Sequence, residues 1–446
     1  MSANGNANRA ANGAGSGGRT GNSSSDGGTH VSARGSNGRE PRVVVTGLGV
    51  VLATGAGRES LASALAAGAP RLTAVNTEPG YHAPGTARQA ALAQHVDLSP
   101  WLLASRARRL SWPSRFSVAA AEMALADAAI DRQTMAEAPV AVALATAFGT
   151  ARYAESLVRD IVLQGPEAAS PALFSESVAN APAAQVALAA DARGTNAAVT
   201  QRESGPLQAV LLAAREVRLG RSRVALAGCS EEINSLVHAL LGRFRAVAPP
   251  SDDGEVARPL DRRRDGMLAA EGAVVLVLER EDDARARGAR VLARIAAGVR
   301  GFDPTASSYG FGNGGKALGA RLASELARQG IDVATIDRIV SGASGSVAGD
   351  QLEAAVLRHV FDGRVPPLLA PKGVTGEYAG GHLAAGVLAA SGAEAWPTAG
   401  FGEADPELGV APHVPQDGSP LQPAKRVLLS ALAAGGAAAW IVLDAA

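Results

Sequence analysis

The sequence predicts an α/β fold built from two similar halves, and three observations predict it. Ala-rich helical patterns alternate with short apolar runs of the kind that form buried strands. Such alternation calls for a mostly parallel sheet covered by helices on both faces. The apolar runs close on glycine or other small residues, as in "TGLGVV" and "IVSGAS", turns suited to the cleft where open α/β sheets place ligands. The same order of elements then recurs in the last third of the chain.

From Met1 to about Glu40 the chain is rich in Gly, Asn and Ser and almost free of large apolar side chains. Residues 1–40 are therefore expected to form a disordered leader, because too little apolar surface is available to offset the entropy of ordering. Order is expected from "RVVVTGLGVV" (42–51), a β-branched run followed by the helical "RESLASALAAG" (58–68). Its glycines resemble a dinucleotide-binding loop, but the third glycine and the acidic partner of that motif are missing. Next come a helix at "RFSVAAAEMALADAAI" (115–130) and a strand at "VAVALATAFG" (140–149). The strand "NAAV", a helix and the strand "RVALAGCSEE" (223–232) follow. A β-rich pair, "AAEGAVVLVLER" (269–280) and "RVLARIAAGVRG" (290–301), leads into the second half. There a helix at 315–330, a strand at 336–344, a helix at 350–361 and two closing strands within 425–445 repeat the scheme. Residues 42–285 and 286–446 are read as the two halves.

Composition narrows the functional classes. Lys+Arg 42 against Asp+Glu 42 leaves no global field that favours nucleic acid or an anionic membrane. The single cysteine, Cys229, excludes an internal disulfide or a multi-cysteine metal site, and the seven histidines form no HxH or HExxH cluster. No metal and no cofactor is called for. Without an apolar leader or a run of about 20 apolar residues, neither secretion nor membrane insertion is expected, and a cytoplasmic location fits best.

"GTNAAVTQRESGPLQAVLLAAREVRLG" (Gly194 to Gly220) is laid out like the strand, sharp turn and helix that present a nucleophile, yet its turn holds no cysteine. "RPLDRRRDGMLAAEGAVVLVLE" (Arg258 to Glu279) resembles the R-P-x-D, R-D-G and G-[DE]-G-A segment of the β-ketoacyl synthase superfamily. "VVVTGLGVV", "RVALAGCSEEINS" and "PKGVTGEYAGG" resemble other segments of that family in the same order, from about Arg42 to the C-terminus. The resemblance implies a thiolase-like fold, two duplicated α/β halves in a five-layer αβαβα arrangement.

Ketosynthases condense acyl chains with a cysteine at a helix N-terminus, where the dipole favours its thiolate. Two histidines then stabilise the charge that develops as a malonyl thioester loses CO2 and attacks. Carried onto this chain, the nucleophile position is Glu203, the first histidine position is Gly342 in "GASGSVAGD", and the second is Glu377 after "KGVTG". All three groups are absent, whereas Arg258, Asp261, Asp265, Gly266, Glu271 and Lys372 of the family motifs remain. "RESGPLQAV", "PKGVTGEYAGGHLAAG" and "AWPTAGF" resemble stretches of the chain length factor, the inactive β-subunit of type II polyketide ketosynthases. Glu203 stands where that subunit usually carries glutamine, and Glu377 where it carries arginine. The closing loop "SALAAGGAAAW" lacks the bulky phenylalanines that gate the acyl pocket of active ketosynthases.

Each unusual residue has a functional and a structural reading. Glu203 could act as a base of raised pKa but cannot carry a thioester; structurally it fills a polar or ion-paired site, with Arg202 as the nearby cation. Ser204 lacks the glycines of a hydrolase elbow, since Arg202 and Pro206 occupy their positions. Cys229 is expected to be a buried, inert thiol. His382 is a candidate for alternative chemistry because "GGHLAAG" resembles a displaced ketosynthase histidine motif, although an ungapped fit makes it a core histidine. The basic run "RPLDRRRDG" with Arg264 is read as structural ion pairing with a minor docking role toward an acidic acyl carrier protein.

The resemblance implies a non-condensing subunit that pairs with an active ketosynthase as a pseudo-twofold heterodimer and walls the tunnel of a chain tethered to acyl carrier protein. The segment 174–194 is where the partner contact is expected. The alternative is a stand-alone homodimer performing decarboxylation, cyclisation or acyl transfer with Glu203, Glu377 or His382; it requires Glu203 and Glu377 close together with separated pKa values. A binding or scaffold protein is the third reading, and it predicts a tunnel filled by side chains.

Overall fold

The computed structural model describes residues 41–446 except 78–79, 132, 134, 136–137 and 415–420, so the expected leader at 1–40 lies outside the described residues. The first half contributes β1 (Val43–Leu52), its short return β2 (Gly55–Ala56), a separate small hairpin of β3 (Thr73–Ala74) and β4 (Gln89–Ala90), then β5 (Val140–Ala145), β6 (Asn196–Val199), β7 (Val224–Glu231) and β8 (Gly272–Arg280). The second contributes β9 (Ala293–Phe302), β10 (Arg338–Val340), β11 (Leu368–Leu369), β12 (Arg426–Leu432) and β13 (Ala437–Ala445).

The large sheet runs β11-β10-β12-β13-β9-β1-β8-β7-β5-β6. Read outward from the β1–β9 junction, each half meets its major strands in one order: first, fifth, fourth, second, third. Pairing directions repeat as well. β5 is parallel to β6 and β7, and β10 is parallel to β11 and β12, whereas β1, β8, β9 and β13 pair antiparallel with their neighbours. The chain thus holds two similar halves, one ending with β8 and the other beginning with β9. The expectation of a mostly parallel sheet is thereby corrected to a mixed one. Antiparallel neighbours need only a tight turn, and β12 returns into β13 through Gly435 and Gly436 at φ 90° and 93°; parallel neighbours need a crossover, here the helices on the faces.

Alternation along the strands defines the layers. Inward residues such as Ala143, Ala227, Val274, Leu429 and Ile441 pack with the helices Gly205–Arg218 and Gly381–Ala390 into one central core. Every residue of Gly381–Ala390 is buried, as a helix sandwiched between sheets requires. The opposite face of the first half, with Val142, Leu226 and Val275, packs on the helices Trp112–Asp127 and Ala181–Ala189. The opposite face of the second half, with Leu428, Trp440 and Val442, packs on Gly315–Arg328 and Val347–Val360. The outcome is the five-layer αβαβα arrangement. Both central helices start at the middle of the molecule, which brings their N-terminal turns to one place.

The glycines of "TGLGVV" serve packing. A Cβ at Gly49 would run into the Ala120 carbonyl and one at Gly47 into that of Ala124, so their absence lets the Trp112–Asp127 helix lie against β1. Gly49→Ala is expected to lower unfolding free energy by about 1–3 kcal/mol through overpacking, measured by denaturant titration. A neutral effect would mean that the helix can move away without loss.

Candidate functional site

The turn before the Gly205–Arg218 helix carries Glu203. Arg202 adopts φ 46°, a left-handed conformation that directs consecutive side chains apart. Arg202 points outward, donating from Nη1 to the carbonyls of Ser308 (2.9 Å) and Ala434 (3.3 Å), with its guanidinium 5.5 Å from the Tyr309 ring centre. Glu203 points inward and is 7% exposed. The expected pairing of Glu203 with Arg202 is therefore not formed. Instead Tyr378 Oη donates to Glu203 Oε1 at 3.2 Å and the Ala434 amide donates to Oε2 at 3.2 Å.

Tyr378 comes from the loop between the short helix Lys372–Thr375 and the Gly381–Ala390 helix. Its φ of 81° is a strained conformation for a bulky residue, costing on the order of 1–3 kcal/mol. That backbone turn aims its ring at Glu203, and Phe148 supports the ring edge-on at a centroid distance of 4.9 Å. One residue earlier, Glu377 is pinned by its own strand-like bridge to Ala269 and holds Lys372 Nζ at 2.6 Å and 2.8 Å from its two carboxylate oxygens. Both partners of this ion pair are buried.

These groups form the polar floor of a cavity of about 350 Å³. Its walls are largely apolar, including Phe148, Val237, Leu241, Met267 and Phe311. At its rim Phe244 and Tyr309, 62% and 71% exposed, stack at 5.7 Å. A larger cavity of about 610 Å³, lined by Arg71, His95, Arg152 and Asn234 among others, contains none of the sequence-predicted site residues.

Electrostatics divides the carboxyls by role. Burial, helped by the negative charge of Glu377, raises Glu203 to about 7 against the opposing pull of its backbone amide contact, Lys372 and the Tyr378 hydroxyl. Burial and the charges of Glu203 and Glu377 hold the Tyr378 phenol well above its ordinary value, so it stays neutral. Behind the ion pair, Glu353 accepts from Ser341 Oγ at 2.6 Å and the Gly342 amide at 3.1 Å, and burial raises it to about 7. Glu231, capped by the amides of Ala147 and Phe148, is raised by burial to about 8.

Of the three positions matched to a condensing triad, Glu203 and Glu377 meet in the cavity and Gly342 does not line it. A Cβ at Gly342 would lie 2.6 Å from the Ser430 carbonyl, so a histidine has no room there as the backbone stands. His382 is buried at the start of its helix, outside the cavity lining; its Nε2 has no hydrogen-bond partner, and burial followed by the Lys372 charge holds it well below the ordinary histidine range. Ser204 donates to the Gln201 carbonyl at 3.0 Å, and burial pushes the Cys229 thiol up to about 12.

The retained motif residues other than Lys372 build loops. Asp261 accepts from the amides of Arg263, Gly402 and Glu403 at 2.6–2.8 Å. Glu271 accepts from the Ala93 and Ile233 amides at 2.9 and 3.2 Å, and Arg258 donates to Asp253 at 2.9 Å. Arg264 is paired with Asp405 at 2.6 Å. Gly266 sits at φ 135°, where a Cβ would lie 2.5 Å from the Ala248 amide nitrogen, and Asp265 is exposed. The site residues missed by sequence reasoning are Tyr378, Phe148 and Glu353. Only the glycines flanking "GEYAGG" hinted at an unusual backbone near Tyr378.

The sequence profile of the "Beta-ketoacyl synthase, N-terminal domain" family matches residues 40–284. The tetracenomycin polyketide synthase ketoacyl synthase beta subunit of Streptomyces glaucescens is 30% identical over 377 residues, covering 82% of this chain and 90% of that protein. The 3-oxoacyl-[acyl-carrier-protein] synthase 2 of Vibrio cholerae is 27% identical over 72% of this chain and 77% of its own length. Among solved structures, the ishigamide ketosynthase/chain length factor superposes with a TM-score of 0.81 at 25% identity, covering 92% of this chain and all of that one. A type II ketosynthase in complex with its acyl carrier protein and bound to a hexaketide superposes with a TM-score of 0.81 at 23% identity, covering 92% of this chain and 100% of that one.

A buried carboxyl whose folded pKa exceeds its unfolded value stabilises the fold at low pH, and that contribution is lost as pH rises from about 4.5 to beyond about 7. Glutamine can reproduce the protonated pattern, accepting from Ala434 and donating to Tyr378. Glu203→Gln is thus expected to match the parent protein in stability near pH 5 and to exceed it near pH 8 by on the order of 3 kcal/mol. Melting curves at the two pH values test this; equal stability at both would show that Glu203 is not proton-linked to folding. Native Cys229 should resist alkylation at neutral pH and react only on unfolding, read by mass spectrometry.

Proposed function

Because the chain belongs to the β-ketoacyl synthase family, we propose that it is a non-condensing subunit that pairs with an active ketosynthase and helps shape the acyl tunnel, and so the chain length, in type II polyketide or related biosynthesis. The observation that carries this reading is the chemistry at the helix N-terminus. A carboxyl stands where a thiolate would form the thioester, and the first histidine position has no space for a side chain. Such a site can border a growing chain but cannot load one.

Surface features support a partner. β6 ends the sheet, with β5 on one side and no strand on the other among the described residues. In the segment between β5 and β6, the helix Ala151–Gln164 buries Leu157 but exposes Val158, Val162 and Leu163. Phe174 and Leu188, within the expected contact segment 174–194, are 63% and 72% exposed. An unpaired edge is a liability unless covered, and so are several large apolar side chains exposed in the same stretch of chain. The partner of matching chemistry is a ketosynthase of the same fold that keeps cysteine and two histidines. Its substrate would be a chain tethered to acyl carrier protein, and the cavity beneath Phe244 and Tyr309 would then adjoin the tunnel.

The stand-alone reading also has an observation in its favour, since Glu203 and Glu377 share one cavity and Glu203 is raised to about 7. His382 takes no part in that arrangement.

Native mass spectrometry of the tagged chain recovered from its producing cells tests the proposal. A one-to-one complex with a ketosynthase is expected; a homodimer without one would overturn it. The isolated chain is expected to gain no acyl mass from an acyl thioester donor. Phe174→Asp with Leu188→Asp should weaken the complex at least tenfold while leaving the melting temperature of the chain nearly unchanged.

A further inference from the structure

Glu203 and Tyr378 form a pair that the loss of the condensing groups does not require. A subunit serving only as a wall could fill this place with apolar side chains, yet the chain maintains a hydrogen-bonded carboxyl and phenol at the floor of an apolar cavity. It does so with Tyr378 at φ 81°. Strained backbone at a cavity floor marks a side chain that is being aimed.

Every charged or titratable neighbour bears on what the pair can do. Glu377 lies beside Glu203 and keeps its own charge engaged with Lys372 at 2.6 Å. Lys372 is thereby held away from the cavity as a free amine, which leaves no group to form an imine with a carbonyl ligand. Glu231 faces Tyr378, Glu353 faces Lys372, Arg202 is turned outward to Ser308, and Arg245, exposed, also lines the cavity. His382, on the far side of Lys372, is a neutral neighbour. The cavity therefore offers one carboxyl that can exchange its proton and one phenol that keeps its own.

We propose that this cavity is an acid–base site that enolises a 1,3-dicarbonyl compound, with the Glu203 carboxylate as base and the Tyr378 hydroxyl as the donor to the enolate oxygen. The inference rests on the same cavity as the proposed function and adds an activity to it. The ligand class follows from the groups present. Two carbonyls acidify the carbon between them, so one carboxylate base and one phenol donor, with no cation at the pair, suffice to enolise it. The apolar walls suit a chain of low polarity, and the Tyr378 hydroxyl at one end suits one of its carbonyl oxygens.

In the step, Glu203 takes the proton from the central carbon and the C–H electron pair moves into the enolate. Tyr378 Oη–H turns from Glu203 to the enolate oxygen, where the charge develops. Returning the proton from Glu203 to carbon completes exchange. Where the ligand carries a further carbonyl within reach, the same carbon attacks it to form a C–C bond, and the new alkoxide takes the proton from Glu203. No oxidant, reductant or leaving group is needed.

The test is exchange of the single C2 proton of the N-acetylcysteamine thioester of 2-methylacetoacetate in D2O, followed by proton NMR with the full chain recovered from its producing cells. The parent protein should accelerate exchange over buffer by about a hundredfold, with a rate that rises as pH passes through about 7. Glu203→Gln should abolish the acceleration, Tyr378→Phe should reduce it about tenfold with the pH midpoint moved upward, and Glu203→Asp should restore part of it. Melting curves confirm that each variant is folded. If the parent and folded Glu203→Gln give equal rates, the inference is overturned. Native mass spectra of the same samples separate the two ideas. A ketosynthase complex without exchange leaves the partner reading and sinks this one, whereas exchange by a homodimer does the reverse.

Discussion

The buried ion pair between Lys372 and Glu377 is the interaction on which the site depends. Two charges removed from water are tolerable only when they meet at close range, and here a bidentate contact achieves that. Deleting one partner would leave the other stranded, a loss of about 3–5 kcal/mol in comparable cases. The pair also ties the Lys372–Thr375 turn to the start of the Gly381–Ala390 helix. The loop between them then has little freedom, and Tyr378 is held in its left-handed conformation. With Glu377 neutralised by Lys372 but still beside Glu203, the second carboxyl pays the remaining electrostatic cost and retains its proton to about 7.

The duplicated architecture explains why these groups meet. Each half sends one central helix against the inner face of the sheet, and each helix starts where the halves adjoin. Glu203 precedes the helix of the first half and Tyr378 that of the second, so residues 175 positions apart come within a hydrogen bond. The closing turn between β12 and β13 adds the Ala434 amide from a third direction. The helix N-terminus that would favour a thiolate also favours a carboxylate. Desolvation nevertheless dominates at Glu203, because the surroundings are apolar and a like charge stands next to it.

The same geometry agrees with the proposed non-condensing role. Gly342 leaves space that the Ser430 carbonyl takes, and its amide is turned to Glu353. Glu377 reaches back to Lys372, so its acidic side chain is buried without leaving an unpaired charge. The surviving "RPLDRRRDG" motif persists for local reasons: Asp261 gathers backbone amides and Arg264 meets Asp405, both independent of any chemistry in the cavity.

By itself the sequence determined the α/β class and the duplication. These depend on periodicity and spacing, which are local properties of the chain. It misjudged the sheet as mostly parallel, because strand direction depends on which strands become neighbours rather than on their own composition. Glu203 and Glu377 were legible as candidates, but the pairing of Glu203 with Arg202 was not correct. Adjacent side chains on a turn diverge when φ becomes positive, and no pattern of residue types announces that. Tyr378 was invisible, since its role comes from a strained backbone angle and a neighbour far away in sequence. Only the tertiary structure decided which carboxyl was neutralised by Lys372 and which was left to hold a proton, because burial and distance, not residue identity, set the energy of a charge.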